Sequence, residues 1–235
     1  MKIQIWSDFS CPFCYIGKHH LNKAMASFAG KEGVEVVLRS FELDPDAPKQ
    51  SQNNIYTNLS EKYDMSVQEA REMTQHISQQ GKQAGLDFHF DTLVPTNTFD
   101  AHRLLHYAAE QGAMEAIGEM LFKALFTDSA NLADRETLVN LAVQAGLDGS
   151  EVTNVLNSDR YADKVREDES LARQLKITSV PFFVFDNKYA LSGAQPVSAF
   201  SEVLVKVQEE AQRLSEVESQ HYGHGPSCSD GECKS

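Results

Sequence analysis

The four cysteines of this chain fall in two close pairs, Cys11/Cys14 and Cys228/Cys233. Two thiols three positions apart are suited to disulfide exchange, provided that one of them ionises. The thiolate is the nucleophile, and a cysteine of ordinary pKa, about 8.5, is only slightly ionised near neutrality. The segment Ser10-Cys11-Pro12-Phe13-Cys14 offers a remedy. A strand alternates Ile3 and Ile5 with Lys2 and Gln4 and brings in Trp6, and from Cys11 the apolar pattern turns helical. Cys11 then lies where unpaired backbone N–H groups and the helix dipole favour negative charge, with Lys18 and Lys23 following in the same helix. Pro12 suits the first turn, where its missing N–H is not needed. Because i and i+3 share a helix face, Cys11 is expected to attack and Cys14 to resolve the mixed disulfide.

The same atoms admit other chemistry. A C-x-x-C is half of many zinc sites, but the other close pair is a C-x₄-C far away in sequence; inert structural thiols are a further alternative. His102 and His106 lie four apart on a predicted helix, a zinc-like spacing without a third ligand, so they read as helix-face or core histidines. His221, His224, Cys228 and Cys233 form H-x₂-H-x₃-C-x₄-C, which fits either an auxiliary redox dithiol or a small metal site, or an incidental tail. The redox arm is preferred because C-x₄-C is looser than a zinc knuckle and Asp230-Gly231 supplies a turn. Lys18, His19, His20 and Lys23 also fit the solvated face of the first helix.

The elements that must position the first pair are legible on either side of it. The helix from Cys11 is expected to run to Ala29, with Gly17, Leu21, Ala24, Met25 and Phe28 on one face and Gly30 as its cap. Val34 to Leu43 reads as a second strand. More than a hundred residues of helical pattern follow: a Ser66/Glu69 capping box opens a helix ending at Gly85, Thr98–Gln111 and Ala113–Phe126 are amphipathic, and Asp134 and Ser150 cap Glu136–Ala145 and Glu151–Leu156. Leu86, Phe88 and Phe90 alternate with polar residues as a short extended segment. Val180–Phe185, a turn at Asp186-Asn187 and Tyr189–Leu191 read as a hairpin, and a last helix spans Val197 to Val217. The fold class is α/β with an inserted all-helical domain: 1–55 and 166–217 form the sheet-bearing part, 56–165 the insertion, and 218–235 a flexible tail.

Composition narrows the partners. With 21 basic and 34 acidic side chains the net charge is -13, which disfavours nucleic acid and anionic membranes, both of which need basic surfaces. No apolar stretch of about 18 residues appears, and none precedes Cys11, so a cytoplasmic protein is expected. In a reducing compartment, paired cysteines point to redox or metal chemistry rather than a structural framework.

Strand, Cys11-Pro12-Phe13-Cys14, helix, strand, helical insertion and Ser179-Val180-Pro181-Phe182-Phe183 leading a hairpin together resemble the DsbA family of thioredoxin-fold proteins. Arg39-Ser40-Phe41-Glu42-Leu43-Asp44-Pro45, Asn97-Thr98-Phe99-Asp100-Ala101-His102-Arg103 and Ser192-Gly193-Ala194-Gln195 resemble its FrnE-like branch. The resemblance implies a thioredoxin-like fold and a protein disulfide oxidoreductase, whether reductase, isomerase or oxidase. It implies a cis bond before Pro181 opposite the cysteines, with Phe13, Val180 and Pro181 meeting substrate. It also implies Glu42 as a candidate proton acceptor beneath the pair, a solvated strand end being the alternative. Phe13 stands where several oxidising relatives have histidine, which implies an intermediate potential. The implied partners are protein or small-molecule disulfides and thiols, glutathione among them, with no resident cofactor. Two alternatives remain: a glutathione-dependent isomerase or transferase of the same fold, whose members typically carry Ser at the Cys11 position, and a non-catalytic chaperone-like binder.

Overall fold

A computed structural model describes the backbone of residues 1–222 and the side chains of 1–214. The side chain of His221, and His224, Cys228 and Cys233 entirely, lie outside the described residues. Four strands and nine α-helices are seen among the described residues: β1 (Lys2–Ser7), α1 (Pro12–Ala26), β2 (Glu35–Ser40), α2 (Ile55–Tyr63), α3 (Val67–Ala84), α4 (Phe99–Glu110), α5 (Met114–Phe126), α6 (Arg135–Gln144), α7 (Gly149–Leu156), α8 (Ala162–Gln174), β3 (Phe182–Phe185), β4 (Tyr189–Ser192) and α9 (Val197–Tyr222).

The sheet runs in the order β2-β1-β3-β4, with β1 parallel to β2 and the other neighbours antiparallel. A parallel β1–β2 pair needs a crossover, and α1 provides it. Alternation sorts the side chains by face. Ile3, Ile5, Leu38, Phe183 and Phe185 join a core with α1, α9 and the helical insertion, while Trp6 meets Ala172 and Ile177 on the opposite face. The hairpin turns through Asp186 and Asn187, both at positive φ of 46° and 55°, a conformation that short polar side chains tolerate.

Several expected boundaries hold. Ser66 and Glu69 form the reciprocal capping box, Gly85 closes α3 at φ 92°, and the Asp134 side chain accepts from the Thr137 N–H. Others move. α1 ends at Ala26 rather than Ala29, and Gly30, at φ -90°, is no left-handed cap. A Cβ there would lie 2.8 Å from Gln208 Nε2, the movable end of an α9 side chain, and 3.0 Å from the Phe28 ring. α7 starts earlier than expected because Asp148, not Ser150, caps it, accepting from the N–H groups of Ser150 and Glu151. α9 continues past Val217 to Tyr222. Residues 86–90 alternate in burial as expected but pair with no strand. The expected division between 165 and 166 falls inside α8, whose Asp168 bonds Arg39 and the Ser40 N–H of β2.

Candidate functional site

β1 delivers the chain to a tight turn, with the Cys11 N–H bonded to the Asp8 carbonyl at 3.1 Å, and α1 begins immediately after. Cys11 is the N-cap residue, at φ -97° and ψ 110°, and Pro12 takes the first helical position. The two thiols are free and differ in setting. Cys14 is 1% exposed and Cys11 5%. Burial, and next the neighbouring Cys11, hold the Cys14 thiol well above its ordinary pKa, while the Ser7 side chain and Asp8 backbone pull weakly the other way.

Opposite the pair, the Val180–Pro181 bond is cis, and the Cys11 thiol donates to the Val180 carbonyl at 3.7 Å. Phe13 is 37% exposed, while Val180 is half-buried. Gly17, one turn below Cys14, allows this approach: a Cβ there would lie 3.1 Å from Phe183 and 3.2 Å from Pro181.

Other expectations move. Lys18 is no cation for Cys11, nor is it solvated. It lies two turns along α1, about 10 Å by helical rise, and is buried with its ammonium on Glu115 at 2.7 Å and Glu119 at 2.8 Å. Lys23 donates to the Ala84 carbonyl, His19 faces Glu119, and His20 meets the Gln195 carbonyl. Glu42 lies beyond the end of β2, paired with Arg166 at 2.5 Å; burial raises its pKa and Arg166 only partly offsets this. Its other oxygen, Oε1, has no partner.

The acid nearest the cysteine turn is Asp8, which the sequence reading passed over. It is 1% exposed and accepts from the Ser10 and Thr98 hydroxyls, both at 2.8 Å, and from the Leu43 N–H at 2.7 Å. Burial works to raise its carboxyl, but nearby His102, the Leu43 N–H and the Thr98 hydroxyl hold it below the usual range. His102 Nε2 stands 3.5 Å from Asp8, out of line for a hydrogen bond, whereas His106 faces Ser40 and Asp168. The two histidines thus serve different carboxylates, and among the described residues no group of three or more ligand side chains could hold a metal. A lone charge between Ser7 and Phe9, just before Cys11, was the available signal for Asp8.

Beside Cys11 a cavity of about 280 Å³ opens between the α1 turn and the helical insertion. Its wall includes Cys11, Phe13, Leu59, Met73, Ile77 and Phe126.

A β2-β1-β3-β4 sheet, a Cys-x-x-Cys opening the first helix and a cis-proline loop across from it define a thioredoxin-fold protein with a helical insertion. The chain belongs to the DSBA-like thioredoxin domain family, whose model matches residues 2–205. It is similar to a probable DsbA oxidoreductase from Streptomyces coelicolor, at 44% identity and a TM-score of 0.85, over 89% of this chain and 91% of that one. It is 28% identical to the uncharacterized protein YwbO of Bacillus subtilis (strain 168) over 206 residues, 87% of this chain and 96% of YwbO. It shares the fold of the cytosolic disulfide reductase DsbM from Pseudomonas aeruginosa, solved with glutathione, at 15% identity and a TM-score of 0.63, over 88% of this chain and all of that one. No helix among the described residues is long and apolar enough to cross a membrane.

Proposed function

We propose that this chain is a thiol–disulfide oxidoreductase of the FrnE-like branch in which Cys11 attacks and Cys14 resolves. The observation that carries the reading is the asymmetry of the pair. Cys11 caps α1 and faces the Val180–Pro181 loop, whereas Cys14 is buried beneath it, where burial pushes its thiol pKa up. Attack by the Cys11 thiolate on a disulfide forms a mixed disulfide and expels one thiolate. Cys14 then gives up its proton and displaces the second, closing Cys11–Cys14. Phe13, Val180 and Pro181 are the substrate contacts in this reading. The fold shared with the cytosolic reductase DsbM supports a cytoplasmic setting with glutathione as a redox partner.

Trapping tests the division of labour. Cys14→Ser should accumulate a stable mixed disulfide with a disulfide substrate, while Cys11→Ser should neither trap nor turn over. Equal trapping by both variants in mass spectra would overturn the assignment.

A further inference from the structure

We infer that the cavity beside Cys11 binds a small, uncharged, apolar disulfide, and that such compounds are reduced here in preference to protein disulfides; this rests on the dithiol reading above. Three observations converge on that class of substrate.

The first is size and enclosure. An apolar cavity of about 150 Å³ is enough to take up benzene, and this one is about 280 Å³. It therefore has room for a substituted ring or a branched alkyl group carrying sulfur. Cys11 is only 5% exposed yet lines the cavity, which places a group seated inside beside the residue that attacks.

The second is that four hydroxyls of the wall, those of Ser10, Thr74, Thr96 and Thr98, are already used. The Ser10 and Thr98 hydroxyls donate to Asp8, Thr74 donates to the Arg71 carbonyl, and Thr96 bonds Asn131. The charged side chains of the lining are Asp44 and Lys62, both exposed and of opposite sign, which gives no net preference for an anion or a cation. Glutathione, with two carboxylates and an ammonium, carries more charge than Asp44 and Lys62 at the rim can pair. An apolar group loses nothing there.

The third is the edge of the cavity. Phe13, Leu43 and Tyr63 are large apolar side chains left 37%, 40% and 56% exposed, and all three line this same cavity. Met65 and Met73 add adaptable walls that accept more than one shape. One half of a disulfide thus sits inside, against Cys11, and the other lies against the exposed rings.

The chemistry balances without further groups. The Cys11 thiolate attacks R–S–S–R, giving Cys11–S–S–R and RS⁻, which takes a proton from solvent. Cys14 loses its proton and attacks the Cys11 sulfur, releasing the second RS⁻ and closing the Cys11–Cys14 disulfide. Two electrons pass to the substrate, and two equivalents of a small monothiol restore the dithiol as they become a disulfide themselves.

The test compares kcat/KM for dibenzyl disulfide, 2-hydroxyethyl disulfide and insulin, with glutathione as the monothiol. Dibenzyl disulfide should be favoured over both by about tenfold or more, and Met73→Trp, which fills the cavity, should lower the ratio of the benzyl to the hydroxyethyl compound by a similar factor. Independently of turnover, Cys11→Ser should bind bibenzyl, which has a similar shape without sulfur, in a calorimetric titration. A ratio near one, insulin as the best substrate, or no uptake of bibenzyl would overturn the inference while leaving the dithiol reading standing. Failure of the parent protein to reduce any of the three disulfides would sink both.

Discussion

Lys18 shows how a charge on the first helix serves structure rather than the thiols. Its ammonium is buried yet satisfied by Glu115 and Glu119, and Glu119 also accepts from Tyr15 at 2.6 Å and meets His19 at 3.1 Å. Burial alone would raise the Glu119 carboxyl, but His19, Lys18 and Tyr15 bring it down to about 2. The folded-state pKa lies below the ordinary value of about 4.3, so its contribution is complete above roughly pH 4.5 and disappears as the pH falls toward 2. Lys18→Met keeps the aliphatic stem and removes the charge. It should cost about 1–3 kcal/mol in urea unfolding near neutrality, the carboxylates being partly exposed. It should also flatten the loss of stability between about pH 4.5 and 2, as Glu119 returns toward the usual carboxylate range. An unchanged acid profile would mean that Lys18 does not hold Glu119.

At the scale of elements, the contact that matters most is between α1 and the loop entering β3. Gly17 lies in that contact, with Phe183 3.1 Å, Pro181 3.2 Å and the Ala194 backbone 3.4 Å from where a Cβ would be. Gly17→Val should force α1 away from that loop, lowering stability by about 1–3 kcal/mol through overpacking. Because Cys11 and Val180 are carried by the two elements being separated, disulfide turnover per folded molecule should fall as well. Full turnover at reduced stability would show that the loop's position is not needed for the chemistry. The insertion obeys simpler rules: Ser66, Asp134 and Asp148 each satisfy N–H groups that a helix start leaves unpaired.

Across the whole molecule, the sheet-bearing part and the insertion share one core. Tyr15 of α1 stacks on Phe122 of α5 with centroids 5.0 Å apart and planes 8° apart, and Phe9 reaches the same ring at 5.0 Å. Buried side chains continue from Ile3 through Leu21 and Leu104 to Leu138 and Val155 without a break. With no separate core of its own, the insertion should unfold together with the sheet. Trp6, the chain's single tryptophan, reports on β1, whereas far-ultraviolet circular dichroism is dominated by the helices, most of them in the insertion. The two signals should trace one urea transition with a common midpoint. An earlier helical transition with Trp6 still buried would mean that the insertion is an independent unit.

What the sequence determined by itself is whatever neighbours along the chain settle between them. The Ser66/Glu69 box, the left-handed Gly85, the turn at Asp186-Asn187 and the placement of Cys11 at a helix start all depend on backbone groups a few residues away. Tertiary structure decided what depends on distant partners. α8 buries only Val165, Asp168 and Ala172, because part of the sheet edge it covers is polar, Arg39 and the Ser40 N–H, so no apolar stripe announced it. Lys18 reads as solvated until α5 brings its carboxylates, and in its own segment only a lone charge marks Asp8 until Thr98 and Leu43 arrive. The cavity is the extreme case: its wall is gathered from residues 10 to 126, each an ordinary core or surface side chain in its own segment. Only their packing leaves space beside Cys11, because a void is a property of how surfaces fit and not of any one stretch of chain.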